Sequence, residues 1–246
     1  MGQIDFTDVS KAYKKRFSRQ KALDGLNLSV EAGEVFGFLG PNGAGKSTAI
    51  KILMNFIKAD SGQVRIKDIP IDLPGARRHV GFLPENPCFY DHLTAAELLK
   101  FIGVTAGMDR KAINARTDAL LTDLKLAHAK HQPIRTYSKG MTQRIGLAMA
   151  MLHDPDIYIL DEPMSGLDPL GRRLVADLIE GIHQSGKTIF FSSHILSDIE
   201  RLCDRVGVLH QGRLLFCGPL ADFVQGKDTL ESAFVELIAQ NDGGAQ

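Results

Sequence analysis

Gly40-Pro41-Asn42-Gly43-Ala44-Gly45-Lys46-Ser47 fits the pattern G-x-x-x-x-G-K-[ST], which holds phosphate when it joins a strand to a helix. The flanks suit it. The apolar run Val35 to Leu39 precedes the pattern, and Ile50, Leu53, Met54 and Ile57 recur after it at helical steps. Glycines let backbone N–H groups turn inward around phosphate oxygens, and a helix N-terminus adds the positive end of its dipole. Lys46 is then placed to reach the β- and γ-phosphates and Ser47 to hold Mg²⁺, with Thr48 completing the nucleotide-binding set. An ordinary glycine-rich turn is the alternative. The four fixed positions arise by chance in about one percent of chains this long, before strand and helix flanks are required.

A second chemical pair follows the apolar run Ile157-Tyr158-Ile159-Leu160, which ends in Asp161-Glu162-Pro163. A buried parallel strand delivers its last residues to the ligand edge of a sheet. Asp161 then binds Mg²⁺, directly or through water. Glu162 orients and deprotonates the attacking water, because phosphoryl transfer is mostly positioning plus charge stabilisation. Two surface acids after a core strand would look the same in isolation; the phosphate-type loop is what favours the catalytic reading.

Between these motifs lies Tyr137-Ser138-Lys139-Gly140-Met141-Thr142-Gln143-Arg144, which resembles the signature segment of ATP-binding-cassette ATPases. Ser165-Gly166-Leu167-Asp168 and Ser192-Ser193-His194 fall where that family has its D-loop and switch histidine, so the resemblance covers nearly the whole chain. It implies a head-to-tail sandwich in which Ser138 and Gly140 of one copy contact the γ-phosphate held by Lys46 of the other. It also implies that His194 senses the γ-phosphate and that Asp168 makes a cross-subunit contact, although Asp168-Pro169 is equally a helix-start signal. Tyr13 resembles the aromatic that stacks on adenine; Phe17, or core packing for either ring, stays open.

Two departures from the family pattern stand out. Where the family has LSGGQ, this chain has Tyr137-Ser138-Lys139-Gly140-Met141, which keeps the serine and second glycine and puts Lys139 in place of the first. Where the family's glutamine loop carries Gln, Leu83-Pro84-Glu85-Asn86 places Glu85, read as a metal or water contact or as a solvated loop acid. Just beyond it, Phe89 and Tyr90 are candidates for the surface that receives a membrane subunit, or for rings capping the helical segment's own core.

These residues need elements to carry them. Residues 3–9, 25–30 and 34–39 are expected as strands, with the basic stretch Lys14 to Lys21 between the first two and Lys14-Lys15-Arg16 as a solvated hairpin loop. The helix after the loop is expected to run until Asp60-Ser61-Gly62. Residues 94–127 carry two helical patterns with Thr94 and Asp109 as N-caps, and a helix begins near Gly140. From Asp156 the chain alternates: strand 157–160, helix 170–183, strand 188–192, helix 195–202, strand 206–210, as in a parallel α/β sheet.

The expected fold class is therefore α/β: a P-loop NTPase (RecA-like) core with an antiparallel β-subdomain and an inserted α-helical subdomain. The expected division is a core and β-subdomain over about 1–86 and 156–225, a helical subdomain over about 87–155 and a short extension over about 226–246. Lys+Arg and Asp+Glu both count 29, which argues against a generally basic nucleic-acid binder. Cys88, Cys203 and Cys217 match no zinc spacing and read as reduced thiols. No stretch approaches the ~18 apolar residues of a membrane span, so membrane work is expected to need another chain.

The resemblance implies an ATPase subunit with ATP and Mg²⁺ as cofactors, most like those of bacterial ABC-2-type exporters. Its implied place is cytoplasmic, on the inner face of the membrane. The implied partners are a second ATPase subunit and integral-membrane permease subunits, with no nucleic acid. The rivals are a conformational switch that moves no cargo and a non-transport ABC ATPase. Against the latter, the chain has neither a long inserted coiled coil nor a tandem cassette.

Overall fold

The computed structural model describes residues 2–15 and 18–242, so Arg16 and Phe17 lie outside the described residues. In chain order the strands and helices begin with β1 (Ile4–Lys15), β2 (Ser18–Val30), β3 (Val35–Leu39), α1 (Lys46–Leu53), β4 (Ser61–Ile66), β5 (Ile69–Pro70) and α2 (Pro74–Arg77). They continue with β6 (Val80–Leu83), α3 (Ala95–Thr105), α4 (Arg110–Asp123), α5 (Lys139–Met151), β7 (Ile157–Asp161) and α6 (Pro169–Gln184). The last are β8 (Thr188–Ser193), α7 (Leu196–Leu202), β9 (Arg205–His210), β10 (Arg213–Pro219), α8 (Leu220–Val224) and α9 (Leu230–Asp242). The chain divides into two compact units, one of Met1–Arg77 with Thr188–Gln246 and one of Arg78–Lys187.

In the first unit an antiparallel sheet runs in the order β2-β1-β4-β5. Its β1–β2 ribbon is longer than the two short strands expected, reaching Tyr13↔Gln20 and Lys14↔Arg19. The reason is visible in the burial. Ile4 and Phe6 are buried in one alternation and Val9 in the opposite phase, and the same break separates Leu23 from Leu26, Leu28 and Val30. Asp8 and Gly25 sit at these breaks with φ of 49° and 66°, and the register shifts between Phe6 and Val9. Bulges reset the two-residue period and so hide the continuation. Lys14 is accordingly an exposed strand residue rather than part of a loop.

The rest of this unit is a parallel arrangement centred on β3. Strand β8 pairs with it from Val35↔Ile189 to Leu39↔Ser193, and β9 flanks its other side. β10 returns antiparallel to β9. Every residue of β3 and β8 is buried, as expected of strands covered on both faces. Phe36 and Phe190 stack with ring centroids 5.8 Å apart, and Phe38 meets Phe190 at 5.3 Å.

In the second unit β6 and β7 pair in parallel from Val80↔Ile157 to Leu83↔Leu160. Helix α5 lies tightly on β6, because a Cβ on Gly81 would stand 2.2 Å from the Ala150 carbonyl oxygen. Helix α3 begins in a full capping box between Thr94 and Glu97, and α4 begins where Asp109 accepts from Lys111 and Ala112 N–H groups. Both caps agree with the sequence reading.

Helix α1 departs from it. The helix ends at Leu53 rather than near Asp60 because Asn55 adopts φ of 56°, a left-handed position that asparagine tolerates and that closes a helix. Ile57 is half-buried beyond that stop, so its spacing reflects packing rather than helical phase.

Candidate functional site

The glycine loop leaves β3 at Gly40 and enters α1 at Lys46. Gly45 caps the helix with φ of 115°, and a Cβ there would lie 2.3 Å from the Ala22 carbonyl oxygen. Neither the backbone angle nor the space admits another residue. Gly43 is also left-handed, at φ of 81°. The loop thus turns tightly, with the Ala44 N–H donating to the Pro41 carbonyl at 3.1 Å, and the first turn of α1 adds donors that no helical carbonyl can satisfy.

Lys46 is buried, and its Nζ donates to the Gly40 carbonyl at 2.6 Å and the Pro41 carbonyl at 3.4 Å. The ammonium is thus folded over the cradle. A cavity of about 240 Å³ opens on the loop, lined by Tyr13, Gln20, Gly43, Gly45, Ser47 and Thr48 among others. Tyr13 is 42% exposed and not a core residue, so its ring is available to a ligand.

His194 follows the last residue of β8, and Ser193 is the register partner of Leu39. The histidine and the loop's Gly40 thus leave neighbouring parallel strands at the same level, and His194 is exposed there. Beside β3, Cys203 packs where a Cβ on Gly37 would meet its Sγ at 2.6 Å. Burial pushes this thiol well above its usual range, the mark of a structural cysteine.

In the second unit Asp161 ends β7, and Asp161 and Glu162 are both buried. Glu162 has φ of 50°, an uncommon angle for a residue with a long side chain. Such strain persists where the surroundings over-determine it, and it clusters at functional sites. The turn is closed by the Ser165 N–H donating to the Glu162 carbonyl at 3.0 Å.

A contributor the sequence reading missed is Gln143, buried in α5, whose Nε2 donates to the Pro163 carbonyl at 3.2 Å. Its signal was present: Gln143 occupies the same stripe as Leu147 and Ala150, so a polar side chain stands on an apolar face.

Ser138 is the N-cap of α5, its Oγ accepting from the Met141 N–H at 3.3 Å. Asp168 is the N-cap of α6, accepting from the Gly171 N–H at 2.7 Å. Both line one open cavity of about 460 Å³ with Gly140, Lys125, Lys139 and Arg144. The cavity is thus lined by three cationic side chains and by the carboxylate that caps α6. Lys139, the departure from the family pattern, lies across the D-loop: a Cβ on Gly166 would fall 2.3 Å from its Cε.

Glu85 is exposed on the loop after β6. Tyr90 is 63% exposed and meets Phe101 edge-on at 6.4 Å, whereas Phe89 is half-buried. Tyr90 therefore does not fill the core.

In the first unit the loop fits the phosphates of a nucleotide: the cradle at Gly45 has no room for a side chain, and Ser47 offers an oxygen ligand. In the second unit Asp161 offers a carboxylate. Among the described residues no group of three or more His, Cys, Asp or Glu could form a cage for a metal. Mg²⁺ ordinarily takes only one or two protein oxygens and completes its octahedron from phosphate and water.

Fold and site together define a P-loop NTPase: a strand, a phosphate-type loop and a helix in an α/β unit, with an acid pair ending another strand. The chain belongs to the ABC transporter family, whose profile matches residues 23–165. It is 45% identical over 230 residues to an uncharacterized ABC transporter ATP-binding protein of Synechocystis, covering 92% of this chain and 65% of that one. It is 42% identical over 215 residues to the bacitracin transport ATP-binding protein BcrA of Bacillus licheniformis, covering 86% and 68%. The chain thus spans about two thirds of the length of these curated relatives.

Among solved structures, an ATP-binding subunit of an ABC transporter superimposes with TM-score 0.88 at 32% identity, covering 96% of this chain and 99% of that one. A dimeric ATP-binding cassette in a post-hydrolysis state, bound to ADP and Pi, superimposes with TM-score 0.82 at 25% identity, covering 88% and 98%.

Proposed function

We propose that this chain binds and hydrolyses ATP as the motor subunit of an ABC exporter, driving transport through a separate integral-membrane permease. The observation that supports the reading is that one chain carries both a glycine loop with no room for a side chain at Gly45 and a cavity lined by Ser138, Gly140, Asp168 and three cationic side chains. A single nucleotide held in the cradle leaves the second feature without a use. A head-to-tail pair of copies gives it one, since each copy's Ser138 and Gly140 then meet the γ-phosphate held by the other copy's Lys46. ATP becomes the joint between two surfaces, and its hydrolysis releases them. The relatives' names support the exporter assignment: bacitracin transport, linearmycin resistance and Nod factor export.

In this reading Tyr13 stacks on the base, and the backbone from Gly40 to Thr48 with Lys46 orients the phosphates. Ser47 and Asp161 would hold Mg²⁺, with Glu85 as a water-mediated contact. The metal, when bound, supplies charge neutralisation at the β- and γ-phosphate oxygens. Glu162 accepts the proton of the attacking water, and its strained backbone fixes the carboxylate's direction. His194 donates to the γ-phosphate, and Asp168 contacts the second copy. Tyr90 and Phe101 offer the apolar surface for the permease; among the described residues no helix is long and apolar enough to cross a membrane.

The test is Glu162→Gln, an isosteric loss of the base. Steady-state ATP hydrolysis is expected to fall at least about 100-fold while ATP binding persists, and ATP-bound dimers should accumulate on size exclusion. Retained turnover removes Glu162 as the base. A variant that stays monomeric with ATP bound removes the two-copy site.

A further inference from the structure

We infer that Asp242, in the last turn of α9, is a positioning residue for the phosphate-binding loop, acting through the turn between β9 and β10. The inference deepens the nucleotide-binding reading above and rests on it.

The loop is not held by its own sequence alone. The Ala44 carbonyl, in the middle of the loop, accepts from the Gly212 N–H at 2.8 Å. The Gly212 carbonyl in turn accepts from the Asp24 N–H at 2.9 Å. The Leu209 carbonyl oxygen stands 2.3 Å from where a Cβ on Gly40 would be. The end of β9 therefore meets the loop at its entrance, and the β9–β10 turn braces it at its centre.

That turn is itself held from outside. Gln211 and Gly212 are consecutive left-handed residues, with φ of 46° and 81°, a conformation that a non-glycine residue adopts reluctantly. Two carboxylates pin it. Asp24 Oδ2 accepts from Arg213 Nε and Nη2 at 2.9 and 2.8 Å. Asp242 Oδ1 accepts from Gln211 Nε2 at 3.1 Å and lies 2.7 Å from Nε2 of the buried His210. One oxygen of α9 thus fixes the two side chains immediately before the residue that bonds the loop.

The consequence for binding follows from the glycines. Gly43 and Gly45 have more conformations to lose on ordering than other residues, and a loop already ordered before its ligand arrives binds more tightly. Releasing the turn costs that pre-organisation. It does not touch Asp161 or Glu162. The effect belongs in nucleotide affinity and KM, with kcat little changed.

The experiment measures ADP binding to the full chain by calorimetry, KM and kcat for ATP, and amide exchange at Gly212. Asp242→Ala is expected to weaken ADP binding and raise KM about tenfold, leave kcat within about twofold and speed exchange at Gly212. Asp242→Asn keeps an acceptor oxygen without its charge and is expected to lose only about two- to threefold.

Glu236→Ala removes a carboxylate of α9 that pairs with Lys227 rather than with the turn's side chains; it should bind ADP as the parent does. Parental affinity and exchange in Asp242→Ala overturn the inference, as does an equal loss in Glu236→Ala. Failure of the parent chain itself to bind ADP would instead defeat the nucleotide reading, and this inference with it.

Discussion

The loop at Gly40–Ser47 and the helix tip at Ser138–Gly140 are both proposed to offer backbone N–H groups to phosphate, yet they are built differently. The loop is buried at Gly40 and from Ala44 to Lys46, and it has no room for a side chain at Gly40 and Gly45. It is flanked by strands β2 and β9, and its lysine is turned inward onto its own carbonyls. The tip is exposed, capped only by its own serine, and set on the wall of an open cavity. A cradle that must hold a ligand alone needs pre-organisation. In the proposed two-copy arrangement, a surface that meets a ligand carried by another copy needs access, and rigid walls would obstruct it.

Alanine substitution sharpens this contrast most. Gly45→Ala drives a Cβ into the Ala22 carbonyl at 2.3 Å and forces φ of 115° on a residue that resists it. Nucleotide binding, read by calorimetry, should fall more than about tenfold. Gly140→Ala adds a Cβ whose nearest neighbour is Leu167 Cδ2 at 3.5 Å, an ordinary contact. Binding of nucleotide to the monomer and the melting temperature should stay as they are, while ATP hydrolysis drops several-fold because the methyl group intrudes on the second copy's phosphate. Equal tolerance at both glycines would break the comparison.

Ser138→Ala probes the tip's own stability. Loss of the N-cap bond to Met141 should cost about 1 kcal/mol in chemical denaturation, with the loop's affinity for ADP unchanged. The smallest effect is expected at the far end of the same helix. His153 lies just past α5, with Nε2 3.2 Å from the Val80 carbonyl oxygen, and burial pushes its pKa below the ordinary value. The unfolded chain therefore binds this proton more readily than the folded one, so stability declines as pH falls below about 6.5. The melting temperature should drop by about 1 °C between pH 7 and 5, and His153→Gln should flatten that slope.

Much of the proposed site could be nominated from the sequence because its motifs are local. The phosphate loop is contiguous, so spacing and flanks locate it. Asp161 and Glu162 follow a run of apolar residues that cannot be anything but buried. Thr94 and Asp109 announce their helices through capping, which involves residues two or three apart. What escaped notice depends on long-range contacts or on broken periodicity. The β1–β2 ribbon was cut short because bulges at Asp8 and Gly25 reverse the alternation. The antiparallel strand β10 and the helix α9 carry no motif.

Composition, spacing and local backbone preference were enough to determine the fold class and the family resemblance and to nominate the groups proposed to touch phosphate, since each of these is encoded over a few neighbouring residues. Only the tertiary structure decided that Gln143 supports the turn after Glu162 and that Ser138 and Asp168 share one cavity. It also decided that the phosphate loop is braced by a turn some 170 residues later in the chain, itself held by α9. Hydrogen bonds between distant segments are satisfied by packing geometry, and a linear pattern carries no record of which distant partner will be within reach.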